Sequence, residues 1–206
     1  DDQIELCCQQ LSENINLKRE SIIIHCSGSL SSEILKAAKE KNCFVVSVHP
    51  MRSFAKSDIS FEQYQGTYCA IIKKLFTDIG SVVYRVNKEK KSSYHAAGVF
   101  ASNYLVTLCQ NSLLCLKEAE VENEIAMKII TNLMKSTLDN LEMTLSPEKS
   151  LTGPIKRGDI NTIIKHLNSL PKSISNLYKT LGLATLSIAD LPEDKEEKIA
   201  KLLLPH

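Results

Sequence analysis

The sequence predicts an α/β region followed by an all-α region, and three observations carry that expectation. Short continuous apolar runs alternate with helical stretches as far as Val86. No convincing strand follows the charged run Asn87 to Lys91, and Pro and Gly punctuate a series of helical periods from there on. Continuous apolar strands separated by helices imply a mainly parallel sheet covered on both faces. The boundary falls near Asn87, giving an α/β region over 1–87 and a helical region over 88–206.

Ser21 to Cys26 is a continuous apolar run closed by Ser27-Gly28, and Leu30 to Lys41 carries Ile34, Leu35, Ala37 and Ala38 on helical spacing. This reads as strand, turn and helix. A second apolar run, Cys43 to Val48, stops at His49-Pro50, because proline has no N–H to give to a ladder. A looser strand is expected near Gly66 to Ile72, then a helix to Ile79, a stop at Gly80 and a strand over Ser81 to Val86. Helices are expected at about 92–117, 122–140, 159–170, 173–187 and 193–203, punctuated by Pro147, Gly153-Pro154, Pro171 and Pro192.

Composition narrows the function classes. Lys and Arg number 25 against 24 Asp and Glu, a net charge of +1, so no basic excess exists to neutralise a phosphate backbone and nucleic acid is not an expected partner. With 43% hydrophobic and 24% charged residues the chain has the make-up of a packed globule. Seven cysteines, without any Cys-x-x-Cys pair, suggest free thiols in a reducing compartment and no zinc site. The opening Asp-Asp-Gln-Ile-Glu lacks the regions of a signal peptide, so a cytoplasmic location is expected. Ala96 to Leu116 is long and apolar enough to suggest a membrane span, but Ser102, Asn103, Thr107, Gln110, Asn111 and Ser112 recur round it. A buried central helix is expected instead.

Ligands of open α/β sheets bind beyond the carboxyl ends of the strands, which draws attention to two histidines. His25 opens the turn Cys26-Ser27-Gly28-Ser29, where Gly28 permits close approach of a ligand and the next helix offers free N–H groups; a tight turn capped by Ser29 or Ser31 reads equally well. His49-Pro50-Met51-Arg52 ends the next run, and Arg52 is able to meet a phosphate or carboxylate, or to sit on a surface turn. Tyr94 and His95 open the long helix and Asn103 lies inside it, among small residues Ala97 and Ala101. Leu151 to Asp159 forms a loop shaped by Gly153-Pro154 and Gly158, with Asp159 as a helix cap and Arg157 beside it. His166 reads as a packed or surface histidine. No Gly-x-Gly-x-x-Gly, Walker, Gly-x-Ser-x-Gly or His-Glu-x-x-His motif occurs.

Taken in order, His25-Cys-Ser-Gly28, Ser47-Val-His49-Pro50, Tyr94-His-Ala-Ala97 with Ala101-Ser-Asn103, and Leu151-Thr-Gly-Pro154 with Arg157-Gly-Asp159 resemble one family. It is the group of uncharacterised bacterial Rossmann-like proteins carrying a conserved helical C-terminal domain of unknown function. That family is similar to pyrroline-5-carboxylate reductases, 6-phosphogluconate-dehydrogenase-like proteins and deazaflavin-dependent NADP reductases. The resemblance implies a partial Rossmann-like sheet followed by a helical dimerisation and substrate domain, and an NAD(P)-dependent oxidoreductase-like function on a small substrate. It implies NADP or NAD as cofactor, with its nicotinamide end near His25, Ser27, Gly28 and Pro50. His49, His95, Asn103 and Arg157 are the catalytic candidates it implies, and Tyr94, Gly153, Pro154 and Asp159 are its substrate-cleft candidates. It also implies a homodimer through the helical domain. Members of the group open with a strand, a glycine-rich turn and a helix that cradle the pyrophosphate; this sequence opens at the equivalent of a later βα unit, so the resemblance implies that the glycine-rich half is missing from it. The alternative expectation is a non-catalytic dimerisation or binding module.

Overall fold

The computed structural model describes residues 1–13, 17–53, 65–70 and 80–204. The helix expected to end at Ile79, and the end of the strand expected before it, lie outside the described residues. The chain packs as two compact units, Asp1–Leu105 and Val106–His206.

The first unit begins with helix α1 (Ile4–Glu13), where the sequence reading assigned no element. Ile4, Cys8 and Leu11 recur at helical spacing, α1 buries Cys8, and Ser12 satisfies its own buried hydroxyl by donating to the Cys8 carbonyl at 2.7 Å. Strand β1 (Ile22–His25) pairs in parallel with β2 (Phe44–Ser47), in the register Ile22 opposite Phe44 and His25 opposite Ser47. Between them a 3-10 turn, Ser32–Leu35, runs into α2 (Lys36–Glu40), and Ser31 caps it by accepting from the Glu33 N–H. Cys8, Leu35, Ala38 and Cys43 form the core, with Ile4, Ile23 and Val45 packed against it. Ile22 and Phe44, at the strand starts, stay exposed.

The second apolar run ends as β2 at Ser47, before His49-Pro50 as expected, but another strand follows directly. After fully buried Val48, whose N–H donates to the His25 carbonyl at 2.9 Å, the chain enters a short strand β3 (His49–Met51). β3 is the edge of a three-stranded sheet, and an edge is where a sheet tolerates a proline. β3 pairs antiparallel with β4 (Tyr68–Ala70), and β4 pairs in parallel with β5 (Val82–Tyr84). Two of the three described pairings are therefore parallel, as expected, and one is not.

A helix of 31 residues, Lys88–Glu118, follows. Asn87 caps its 3-10 start by accepting from the Glu89 N–H at 2.9 Å. It continues as α3 (Lys91–Gly98), widens into a π turn over Val99–Asn103 and closes as α4 (Tyr104–Glu118). The expectation of burial fails here: this helix is long and apolar enough to cross a membrane, yet α4 contains no buried residue. Asn111 to Leu116 are half-buried, while Tyr104, Val106 and Leu108 stay exposed.

The second unit is all helix: α5 (Asn123–Thr144), α6 (Pro147–Ser150), α7 (Gly153–Arg157), α8 (Ile160–Ser169), α9 (Lys172–Leu186) and α10 (Glu193–Leu203). The predicted punctuation falls at the ends: Pro147 and Pro154 lie in first turns, and Pro171 and Pro192 immediately precede α9 and α10. Ile163, Leu186, Ile199 and Leu203 form the core. Gly182 lets α9 and α10 close, since a Cβ there would lie 2.9 Å from a Leu203 methyl.

Candidate functional site

The carboxyl ends of β1 and β2 meet at the turn Cys26–Leu30, and its internal bonding is dense. His25 is buried, accepts from the Ser27 N–H at Nδ1 (3.2 Å) and donates from Nε2 to the Ser31 carbonyl (3.1 Å), so both ring nitrogens are engaged. Burial lowers its pKa, against a smaller raising effect of the Ser31 bond, and the ring is a neutral strut. The Ser27 hydroxyl accepts from the Ser29 and Leu30 N–H groups and donates to the Asp1 carboxylate at 2.9 Å. Burial raises the neighbouring Cys26 thiol, which is therefore no activated nucleophile.

Lys91, at the start of α3, locks this turn from behind. It is 7% exposed, and its Nζ donates to the Ser27 carbonyl at 2.9 Å, to the Leu30 carbonyl at 2.6 Å and to the Ser47 hydroxyl. Burial lowers its pKa. Neutral oxygens hold this ammonium in place of a carboxylate, leaving its charge to act on its neighbours.

A cavity of about 470 Å³ opens where the end of β3 faces the π turn. His49 and His95 form one wall, their rings 5.4 Å apart and edge to face. His49 donates from Nδ1 to the Cys26 carbonyl at 3.2 Å, which fixes the tautomer and leaves Nε2 as an acceptor. Burial is the main cause of its lowered pKa, and His95 and Lys91 push the same way. Gly28 lies against both rings: a Cβ there would come within 2.3 Å of His95 Cδ2 and 3.0 Å of His49 Cε1. The close approach foreseen at Gly28 is thus made by this chain's own histidines.

Ser102 and Asn103 reach the same cavity from the π turn. Such a turn shifts the side-chain phase within a continuous helix, and these widenings are frequent at functional sites. Gly98 brings Met51 against the helix, its would-be Cβ lying 3.2 Å from the Met51 sulfur. Tyr94 serves the site from outside: its hydroxyl accepts from Tyr84 at 2.7 Å and reaches the His49 carbonyl at 3.4 Å, so it braces β3. Burial raises its pKa, and the phenol stays protonated.

The remaining candidates belong to the second unit. Gly153 has φ 95° and Pro154 lies in the first turn of α7, while Gly158 ends that helix in the left-handed conformation, φ 65°. Asp159 caps α8, accepting from the Thr162 N–H at 3.1 Å and hydroxyl at 2.7 Å, bonds that hold its carboxyl below the usual range. Arg157 is exposed and forms no ion pair with Asp159. His166 pairs with Tyr178 at 2.9 Å beside the helical core.

The first unit thus brings together His49, His95 and Asn103, with Gly28 behind the rings. Arg52, the other candidate of the His49-Pro50-Met51-Arg52 run, lines the same cavity, and Ser53, Gly98 and Val99 line it without having stood out in the sequence. Lys91 was missed because it lies in a run of charges, Lys88 to Lys91, which reads as solvated.

The family model for a domain of unknown function, DUF2520, matches residues 59–185, more than half of the chain. The chain belongs to the DUF2520 family. Among solved structures it is similar to protein TM1727 from Thermotoga maritima, at 28% identity and a TM-score of 0.70 over 88% of this chain and 74% of that one. It is also similar to the "putative NADP oxidoreductase BF3122" from Bacteroides fragilis, at 21% identity and a TM-score of 0.70 over 91% of this chain and 72% of that one. No curated protein matches. The DUF2520 match and these two likenesses establish a Rossmann-like fold with a helical C-terminal domain.

Proposed function

We propose that this chain is part of an NAD(P)-dependent oxidoreductase-like protein acting on a small substrate, with the His49–His95 cavity as the place of reaction. The observation that carries the reading is that cavity: it gathers two imidazoles, two hydroxyls, an amide and a guanidinium past the carboxyl end of β2, the kind of place where α/β folds hold their ligands. The name carried by the Bacteroides fragilis structure favours NADP.

The described residues suit the reacting end of a dinucleotide better than its phosphates. The N–H groups of Ser27, Ser29 and Leu30 are taken up inside their own turn, so that turn lacks the free donors a pyrophosphate needs. Gly28 packs behind the histidine rings and Pro50 follows His49 in β3, so both would shape the wall that meets the ring, with His25 and Ser27 holding the turn in shape. A bound nicotinamide supplies or takes a hydride. His49, neutral with a free Nε2, takes a proton from a substrate hydroxyl in the oxidising direction, and its imidazolium returns it in reduction. Asn103 and His95 orient the polarised oxygen or nitrogen.

Titration of the protein with NADPH and NADH, followed by nicotinamide fluorescence, tests this reading. Micromolar binding by the natively expressed protein, about 8 kcal/mol, supports it; natively expressed, folded protein that binds neither nucleotide overturns it.

The second reading is an association module, and the exposed apolar residues Tyr104, Val106 and Leu108 of α4 favour it. On α5, Ile125, Ile129 and Leu133 form an exposed stripe at spacing of four residues, with Leu133 66% exposed. A second copy of the chain is the proposed partner for these surfaces, in a soluble, cytoplasmic homodimer. The polar groups of α4, among them Asn111 and Ser112, suit a protein interface better than lipid. Both readings hold together if a dimer binds nucleotide; a dimer without affinity for it leaves the second alone.

A further inference from the structure

We infer that the substrate of this cavity is a small carboxylate, bound through Arg52, with its uncharged carbonyl or imino end toward His49 and His95. The inference rests on the reading of this cavity as the substrate site, and it specifies the ligand class. Three observations carry it. Arg52 lines the cavity, and among the described residues no carboxylate lies within ion-pair distance of it and none lines the wall beside it. A guanidinium is always charged and matches a carboxylate with two parallel hydrogen bonds.

The guanidinium also has one tether in the protein. One of its nitrogens donates to the hydroxyl of Thr67, a buried residue, at 3.4 Å, which leaves further N–H groups for a ligand. Held donors lose less freedom on binding than those of a free surface side chain.

The rest of the lining divides by chemistry. Met51, Val99 and Ala101 offer an apolar wall, and His49 and His95 present imidazole. The lowered pKa of His49 keeps it uncharged at neutral pH, and Arg52 is the permanently charged side chain among the described lining residues. One anionic group, a short apolar body and one polarisable end fit this distribution; a volume of about 470 Å³ limits the ligand to a small molecule.

The test uses the protein without nucleotide, its histidine rings labelled for NMR, titrated with 2-oxopentanoate, with 2-pentanone as the neutral counterpart, and with inorganic phosphate. The oxo acid is expected to move the His49 and His95 resonances saturably, and 2-pentanone to leave them unmoved at the same concentration. Arg52→Met is expected to weaken the oxo acid at least tenfold, with Arg52→Lys between the two; Arg52 is exposed, and unchanged melting of the variants confirms their fold. Equal binding of ketone and oxo acid, an unaffected R52M variant, or no response to the oxo acid overturns the inference. Phosphate binding as tightly at the same resonances also overturns it, in favour of a phosphorylated ligand. The nucleotide titration decides the oxidoreductase reading separately. Oxo acid binding without nucleotide affinity removes that reading and leaves the anion site, and the reverse pattern removes only the anion site.

Discussion

Gly28 is the residue on which the candidate site depends most directly, because no side chain fits between it and two histidine rings. Gly28→Ala is expected to destabilise the first unit by about 1–3 kcal/mol, as overpacked sites do, and to move the ring resonances of His49 and His95. Thermal unfolding and histidine NMR check both, and an unaltered pair of resonances would refute the packing role. The histidines also set a pH dependence. His25 and His49 titrate below the ordinary value of 6.5 when folded, so just below that pH the unfolded chain binds more protons. Stability therefore rises with pH through this window and levels off above it. Unfolding midpoints at pH 5, 6 and 7.5 should show that order, with a shallower rise in His49→Gln. The four motifs in the sequence already singled out His25, His49, His95 and Asn103. They carried no sign of Lys91, since a lysine among lysines is recognisable as buried only once the turn it supports has been built.

At the scale of elements, the strongest local signals were turn residues and helical periods. Gly158 has φ 65° at the end of α7, where a side chain meets left-handed strain of about 1–2 kcal/mol. Gly158→Ala is expected to lower the stability of the second unit by that amount in denaturant unfolding. Ile163, fully buried between α8 and its neighbours, is the corresponding core position: Ile163→Ala is expected to cost about 2–5 kcal/mol. A loss below 1 kcal/mol would mean that the helical core is not packed as described. Helix ends near Pro147, Pro171 and Pro192 were readable because proline constrains its own φ and lacks a donor. The strand β3 was not, since whether a proline ends a strand or sits on a sheet edge depends on which neighbour pairs with it. The π turn was equally hidden: Val99 to Asn103 has an ordinary helical composition, and its wider hydrogen-bonding pattern appears only with the packing around Met51 and the cavity.

For the whole molecule, the exposed helices predict self-association. The protein is expected to run at twice its 23.0 kDa mass in light scattering without detergent, and Ile129→Glu with Leu133→Glu to return it to the monomer mass. A wild-type monomer at all concentrations would leave α4 without the proposed partner. Periodicity and punctuation, being local properties of the chain, determined from the sequence alone the order of strands and helices, the passage from α/β to all-α and most helix ends. Ordered motifs also brought the DUF2520 family within reach. Only the tertiary structure decided that Gly28 makes room for this chain's own histidines, that Lys91 is buried, and that the most apolar helix buries none of its residues fully. Those outcomes depend on which distant segments meet, and spacing along one chain carries no record of the surface opposite.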